Sequence, residues 1–240
     1  PLLIKFIDAQ QDLSIQVHPN DELAEQRHHS KGKTEMWYVV DTTEGAHLRS
    51  GFSKQVTPEE YAASVEDNTI TDILADYTIR PGDVFFLPAG RVHSIGAGAF
   101  IAEIQQTSDI TYRIYDFNRR DANGNTRELH TELAKDAIDY TVLPDYRTHY
   151  TPTQNCGVEL VSCPYFTTTL YDLTQARTID LSSLDSFLVV ICMGGHATLS
   201  TDGGDPMPIH QGETVLIPAS TRTLRIEPEG SAKFLTSCIR

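Results

Sequence analysis

Cysteines and basic residues are both scarce in this sequence, and each scarcity argues against a class of function. The four cysteines form no C-x-x-C pair and all lie in the second half of the chain, which disfavours a zinc ribbon or a redox motif. We expect them to be reduced and buried, as in a cytoplasmic protein. Only 19 lysines and arginines oppose 33 aspartates and glutamates, giving a formal charge of −14. This acidity argues against nucleic acid and anionic membranes as partners.

Long apolar runs are also absent, since none approaches the ~18 residues that a transmembrane helix needs. The opening residues, PLLIKFIDA, lack the basic region and small-residue cleavage site of a secretory signal. They predict a strand already in progress, and we expect the natural protein to continue upstream of Pro1. With 240 residues, 40% of them hydrophobic and 22% charged, the chain can bury its core without disulfide support.

Short apolar runs separated by glycine, proline, asparagine and aspartate dominate the sequence. Ten of these runs have the character of strands: LLIKFID, LSIQVH, EMWYVV, VFFLP, FIAEIQ, FTTTLYDL, FLVVICM, HATLS, TVLIP and TLRIE. Their spacing predicts an all-β sandwich or barrel.

Two segments interrupt the strands with helical signals. The segment TPEE at 57–60 combines an N-cap threonine, a proline at the first helical position and a glutamate three residues after the cap. A second helix is predicted from about Glu128 to Tyr140, with helical spacing of Leu129, Leu133 and Ala137. The polar segment EQRHHSKGK at 25–33 is predicted to be a loop.

A nine-residue pattern occurs twice. Gly82–Gly90, GDVFFLPAG, matches Gly212–Ser220, GETVLIPAS, at an offset of 130 residues, which is the size of a domain. His93 follows the first copy, whereas Thr223 stands at the corresponding position of the second. We therefore expect two copies of one β-domain, residues 1–142 and 156–240, joined by a polar linker at 143–155, with a metal site in the first copy alone.

Four residues of the first half suit a divalent metal ion. Gln16 and His18 are two positions apart in LSIQVH, so on a strand their side chains leave the same face. Glu35 is expected where the next strand starts, and His93 follows the turn at 88–90. One amide, one carboxylate and two imidazoles form a mixed N/O set that suits zinc or another first-row divalent ion.

The arrangement of these residues resembles a known family. The pattern G-x5-P-x-G-x2-H, formed by Gly82, Pro88, Gly90 and His93, is similar to a cupin motif. Four segments in the same order resemble the short bacterial form of type I mannose-6-phosphate isomerases: LSIQVHPND (13–21), GKTEMWYVV (32–40), LPAGRVHSIGAG (87–98) and AEIQQTSDITYRIYDFNR (102–119).

This resemblance implies two cupin-like (jelly-roll) β-barrels with a few short helices, the first barrel N-terminally truncated and the second degenerate. It also implies one Zn²⁺ per chain, with the family's ligands falling on Gln16, His18, Glu35 and His93.

The resemblance further implies interconversion of mannose 6-phosphate and fructose 6-phosphate through a cis-enediol. The family's catalytic arginine falls on Arg113 and an active-site lysine on Lys33, and Glu103 matches an active-site acid of some members. A permanent cation such as Arg113 suits an anionic transition state. Lys33 and Glu103 are both candidates for the proton transfer between C1 and C2, and the sequence does not rank them.

A phosphosugar substrate requires a local basic patch on this acidic chain. Arg91, Lys31 and Arg119 are the candidates that the sequence offers. No nucleic acid or membrane partner is expected, and the sequence does not predict an oligomeric state.

Two other functions remain open at this stage. The first is a different cupin metalloenzyme, such as an iron-dependent dioxygenase, although Gln16 replaces a histidine that such a site favours. The second is a non-catalytic sugar-binding or scaffold cupin. Arg113 argues against this alternative, because a pure binding module has no evident need for the block YRIYDFNR.

Overall fold

β-Strands account for most of the regular structure, as the short apolar runs predict. The computed structural model describes residues 2–239. The chain divides into two compact units, Pro1–Thr148 and His149–Arg240. Within the described residues, no helix has the length and apolar character required to traverse a membrane.

The described part of the first unit contains two antiparallel sheets. Its strands are β1 (Leu2–Asp8), β2 (Ile15–Val17), β3 (Glu35–Thr42), β4 (His47–Phe52), β5 (Leu74–Thr78), β6 (Val84–Leu87), β7 (His93–Ile95), β8 (Ala99–Gln106) and β9 (Tyr112–Tyr115). One sheet has the order β1-β8-β3-β6 and the other the order β5-β4-β7-β2-β9. This is the two-sheet arrangement that the pattern predicts.

Apolar side chains from both sheets pack together in the first unit. One buried cluster includes Trp37 of β3 and Ile101 of β8 from the first sheet, with Leu48 of β4 and Ile95 of β7 from the second. β3 and β8 are the interior strands of their sheet, and the run EMWYV of β3 is buried throughout. The closed interior between the sheets is therefore apolar except where specific polar side chains enter it.

Three α-helices lie in the described part of the first unit, residues 2–148: α1 (Asp21–His28), α2 (Pro58–Glu66) and α3 (Thr131–Ala137). A 3₁₀ helix also spans Ile70–Ile73. The predicted capping box of α2 is confirmed. The Glu60 backbone N–H donates to Thr57 Oγ1 over 3.2 Å, and the Thr57 N–H donates to Glu60 Oε2 over 2.8 Å.

The second predicted helix is shorter than expected. Its proposed apolar face is wrong, because Leu129 and Leu133 are 41% and 37% exposed, whereas Ala134 and Ile138 are buried. The backbone N–H of His130 donates to the Arg113 carbonyl of β9, which ties the segment before α3 to a strand and delays the helix.

The loop predicted at 25–33 is wrong over its first part, which belongs to α1. The Asn20 side chain caps this helix by accepting a hydrogen bond from the Leu23 N–H, and His29, with φ of 50°, ends it. Ala24 is the buried residue of this helix. Its sequence therefore lacks the apolar periodicity by which helices are usually predicted.

Between residues 149 and 239 the second unit forms a single seven-stranded antiparallel sheet. Its strands are β10 (Gly157–Ser162), β11 (Thr167–Leu173), β12 (Arg177–Asp180), β13 (Leu188–Thr201), β14 (Met207–His210), β15 (Thr214–Ile217) and β16 (Thr223–Cys238). The runs FLVVICM and HATLS, predicted as separate strands, join in β13 across two register shifts near Gly194 and Gly195. Among the described residues no disulfide joins the cysteines, and the expectation that all of them are buried is confirmed for Cys192 alone. Cys163 and Cys238 are half-buried, and Cys156 is exposed because it precedes the edge strand β10.

The two copies of the nine-residue pattern have the same local structure. Gly82 and Gly212 have φ values of 93° and 87°, which glycine adopts most readily, and each copy continues into a short strand, β6 or β15. In each copy the next, acidic residue accepts a hydrogen bond from the backbone N–H three residues earlier, over 3.1 Å for Asp83 and 2.7 Å for Glu213. The repeated pattern therefore forms the same turn in both copies.

Candidate metal centre

Four side chains from the two sheets of the first unit meet in its interior. Gln16 lies in β2, His18 follows that strand and His93 begins β7, all in the five-stranded sheet, whereas Glu35 begins β3 of the four-stranded sheet. His18, Glu35 and His93 are each at least 98% buried. Gln16 and His93, 77 positions apart, meet because β2 pairs with β7, and Glu35 joins them because the two sheets face each other.

The ligand atoms lie close together. His93 Nε2 is 3.3 Å from Glu35 Oε1, and His18 Nε2 is 3.6 Å from Glu35 Oε2. One ligand atom from each of these three residues lies within 4.8 Å of the others. The Gln16 amide nitrogen is 3.3 Å from His93 Nε2, so rotation of the amide by 180° brings its oxygen to the same place.

Backbone carbonyls orient both imidazoles. His18 Nδ1 lies 2.9 Å from the Ile110 carbonyl oxygen, and His93 Nδ1 lies 2.8 Å from that of Arg91. A neutral imidazole that donates from Nδ1 has a free lone pair on Nε2. Both Nε2 atoms therefore face the cluster as metal ligands do, with the other ring nitrogen fixed by an outer hydrogen bond.

Electrostatics favour neutral imidazoles in this cluster. Burial, followed by the charge of Lys33, lowers the pKa of His93 to about 4 and brings that of His18 well below its usual range. Burial, followed by the charge of Glu103, raises the pKa of Glu35 to about 7. Desolvation therefore penalises every charged form in the cluster.

The cluster fits a divalent cation. Within residues 2–239, Glu35 Oε1 is buried without a hydrogen-bond partner and faces His93 Nε2, whereas Oε2 faces Lys33 Nζ at 2.6 Å. A buried acceptor without a donor is costly, and a divalent cation supplies the partner that Oε1 lacks. The two imidazoles, the carboxylate and the amide oxygen form a set of ligands typical of first-row divalent metals.

Lys33 lies beside the ligand atoms. Its side chain is 94% buried. Lys33 Nζ is 2.6 Å from Glu35 Oε2, 3.1 Å from His18 Nε2 and 3.9 Å from Glu103 Oε1. The structure thus brings two of the predicted catalytic residues, Lys33 and Glu103, to the edge of the metal centre.

Glu103 is held by two side chains that the sequence analysis did not identify. Trp37 Nε1 donates to Glu103 Oε2 over 2.9 Å, and Lys5 Nζ donates to Oε1 over 3.0 Å. Burial raises the pKa of Glu103, but the charges of Lys33 and Lys5 outweigh this effect, so the pKa is lowered. Trp37 also packs edge-on against the His93 ring at 5.2 Å. Two signals were present: the single charge in the run LLIKF and the spacing of Trp37 two residues after Glu35.

Arg113 lies on the same face of the five-stranded sheet as the ligands. Gln16 is the register partner of both His93 in β7 and Arg113 in β9, and directly paired residues project to one face. Arg113 Nη1 donates to the Glu128 carbonyl over 3.0 Å. Its Nε atom is buried and has no hydrogen-bond partner among the described residues.

Of the three cations proposed for the phosphate, two are engaged elsewhere. Arg91 is 93% buried, and its guanidinium lies 4.4 Å above the Tyr146 ring. Arg119 donates from Nη1 to the Asp12 carbonyl over 2.6 Å and forms an ion pair with Asp116. Lys31 is exposed.

Among the described residues, the His18–Glu35–His93 group is the one cluster of His, Cys, Asp and Glu that has metal-binding geometry. Thr223, the counterpart of His93 in the second repeat, is exposed, and its N–H donates to the Asp202 carboxylate. His28 is 2.8 Å from the Tyr112 hydroxyl.

Family models match both parts of the chain. Residues 1–46 match the catalytic domain of type I phosphomannose isomerase, and residues 158–239 match the cupin domain of mannose-6-phosphate isomerase.

Individual relatives agree with these matches. The mannose-6-phosphate isomerase ManA of Bacillus subtilis is 35% identical over 240 residues, covering 99% of this chain and 74% of ManA. A mannose-6-phosphate isomerase of Streptococcus mutans is 33% identical over 233 residues, covering 95% of this chain and 71% of the relative. The crystal structure of the Bacillus subtilis mannose 6-phosphate isomerase superposes with a TM-score of 0.87 at 29% identity, covering 99% of this chain and 74% of that one.

Proposed function

Because the chain belongs to the type I mannose-6-phosphate isomerase family, we propose that it interconverts mannose 6-phosphate and fructose 6-phosphate around one zinc ion. The observation that carries this proposal is the buried convergence of His18, Glu35 and His93 in a chain whose relatives are isomerases. Of the alternatives, the scaffold and the dioxygenase are both disfavoured by those relatives.

Gln16, His18, Glu35 and His93 are the proposed ligands. Zinc accepts imidazole nitrogen and carboxylate oxygen, and the outer hydrogen bonds on both Nδ1 atoms hold the rings in the required tautomer. When bound, the ion supplies Lewis-acid polarisation of the carbonyl and hydroxyl oxygens at C1 and C2 of the open-chain sugar.

Lys33 is the better-supported candidate for the proton transfer. The reaction removes the proton from C2 of the aldose, forms the cis-enediol and returns a proton to C1; the reverse direction retraces these steps. The lowered pKa of Glu103 makes it a weak base near neutral pH. Glu103 already accepts from Trp37 and Lys5, so we assign it the role of holding the Lys33 side chain in place, with an Nζ–Oε1 distance of 3.9 Å, and the proton transfer to Lys33.

Arg113 is proposed to stabilise the negative charge that develops on the sugar oxygens. It is the register partner of Gln16, and its guanidinium is always protonated. Removal of such a donor typically costs about two orders of magnitude in turnover.

The test is a coupled assay for fructose 6-phosphate, run on the zinc-loaded protein, the chelated protein and Arg113→Ala. We expect turnover by the loaded protein, loss on chelation, recovery with zinc, and for Arg113→Ala a turnover at least about tenfold lower with unchanged metal content. A loaded protein that retains its metal but does not convert mannose 6-phosphate would support the scaffold instead.

A further inference from the structure

Three arginines gather around one buried carboxylate beyond the C-terminal end of β9. Arg119 and Arg127 both form ion pairs with Asp116, which is 95% buried. The charges of Arg127, Asp116 and Arg119 all influence the pKa of the Arg113 guanidinium. Including the exposed carboxylate of Glu128, the group holds three cations and two anions, so it is locally positive in a chain of formal charge −14.

A tight turn brings Arg127 back to this group. Asp121 Oδ1 accepts hydrogen bonds from the N–H groups of Asn123 and Asn125 over 2.8 and 2.9 Å, and Gly124 has a φ of 83°. A β-bridge then pairs Arg120 with Thr126. Because the chain reverses over these residues, Arg127 lies beside Arg119 although eight positions separate them.

The two arginines paired with Asp116 differ in how many guanidinium nitrogens remain available for a ligand. Arg119 also donates to the backbone carbonyls of Asp116 and Asp12, so all three of its nitrogens are used. Arg127 contacts Asp116 through Nε, over 2.7 Å, and Nη2. These contacts do not use Nη1, and the side chain is 51% exposed. Arg127 is therefore positioned by Asp116 and still accessible to a ligand.

Arg113 connects this group to the metal centre. Partial burial and the neighbouring charge of Arg127 lower the pKa of Arg113, which indicates positive charge that an anion would relieve. Arg113 is one strand away from Gln16, and neighbouring strands lie about 4.8 Å apart. A six-carbon substrate is longer than one strand spacing, so a sugar that reacts at the ligands can bring its phosphate to Arg113, whose charge Arg127 influences.

We propose that Arg127, together with Arg113, binds the phosphate group of the substrate, with Asp116 holding Arg127 in place. This inference rests on the proposed function for its substrate. The planar guanidinium donates two parallel hydrogen bonds to phosphate oxygens, which a lysine cannot do. Arg127 takes over the role that the sequence analysis gave to Arg91 and Arg119.

The test compares Arg127→Gln with Arg120→Gln in the zinc-loaded protein. Arg120 is an exposed arginine of the same turn that donates to the Gly124 carbonyl, so its replacement makes the same change in net charge. For both variants, calorimetric titration measures the dissociation constant for inorganic phosphate, and an activity assay measures the KM for mannose 6-phosphate. Loss of a charge-assisted hydrogen bond predicts that the dissociation constant and the KM each increase by about tenfold or more in Arg127→Gln. Arg120→Gln is expected to match the wild type.

Arg127→Lys keeps the positive charge but cannot donate two parallel hydrogen bonds. Its phosphate affinity is expected to lie between those of the wild type and Arg127→Gln. Because it keeps the charge beside Asp116, it serves as a second test if the glutamine variant does not fold. Equal phosphate affinity in Arg127→Gln and Arg120→Gln would overturn the subsite. The titration needs no turnover, so a wild type that binds phosphate through Arg127 but does not isomerise the sugar contradicts the proposed function and leaves the subsite standing.

Discussion

At the scale of single residues, the candidate metal centre depends on two buried imidazoles that burial keeps neutral. His18 and His93 are enclosed and hydrogen-bonded through Nδ1 to carbonyls. Within residues 2–239, Glu35 Oε1 is buried without a hydrogen-bond partner, whereas Oε2 faces Lys33 Nζ at 2.6 Å. Such a carboxylate is tolerated where a cation completes its surroundings, so the packing around the candidate ligands suits a metal ion.

Replacement of His93 by alanine is expected to abolish metal retention, because it removes an inner ligand. Metal content after dialysis, measured by atomic spectroscopy, should fall from about one ion per chain to near zero. His196→Ala removes an exposed imidazole of the second unit and should retain the ion. Equal metal content in both variants would refute the ligand assignment.

The metal-free protein should lose stability in mild acid because of His93. Its pKa is 6.5 in an ordinary setting and about 4 in the fold. The neutral imidazole thus contributes stability that is fully present above pH 6.5 and lost as the pH falls towards 4. Between these values, the free energy of unfolding of the chelated wild type should decrease by about 1.4 kcal/mol per pH unit more steeply than that of His93→Gln.

Denaturant titrations of both chelated proteins at several pH values between 4.5 and 6.5 measure this difference. Glu35, whose pKa is raised to about 7, acts in the opposite direction but is present in both proteins. Parallel pH profiles would show that His93 is not buried in its neutral form.

At the scale of elements, a helix boundary was predictable only where its signal is a contact between residues close together in the chain. Helix α2 starts at its predicted proline because the capping box is a contact between residues three apart. The length of helix α3 was overestimated, because the hydrogen bond from His130 to Arg113 of β9 is a tertiary contact that local sequence signals do not reveal. Helix α1 is too polar for its periodicity to reveal it.

Thr57→Ala should lower the free energy of unfolding of the protein by about 1 kcal/mol, because the Glu60 N–H loses its acceptor. Thr57→Ser retains the hydroxyl and should be close to the wild type. Denaturant titration measures both. If the serine variant loses as much stability as the alanine variant, the methyl group rather than the cap would be responsible.

At the scale of the whole molecule, a repeated element leads to a candidate metal ligand in one copy only, as far as residues 2–239 show. Both copies have the same glycine turn and acidic acceptor. The first leads to His93 opposite Glu35 and Gln16, and the second leads to an exposed threonine. A metal centre needs ligands from several elements, so conservation of one turn does not reproduce it.

Thr223→His should therefore bind no additional metal. Metal content of the purified variant is expected to equal that of the wild type, because no second group of ligands faces position 223 among the described residues. A second tightly bound ion per chain would contradict the degenerate nature of the second copy.

The sequence by itself determined the β architecture, the repeated turn and the four candidate ligands, because strand periodicity, turn glycines and the spacing of the candidates are local properties. Only the tertiary structure decided which other side chains meet those ligands. Lys5 and Trp37 reach Glu103 through strand pairing across the sheet, and Arg127 reaches Asp116 through a chain reversal. Contacts between distant positions arise from packing, which no short window of sequence encodes.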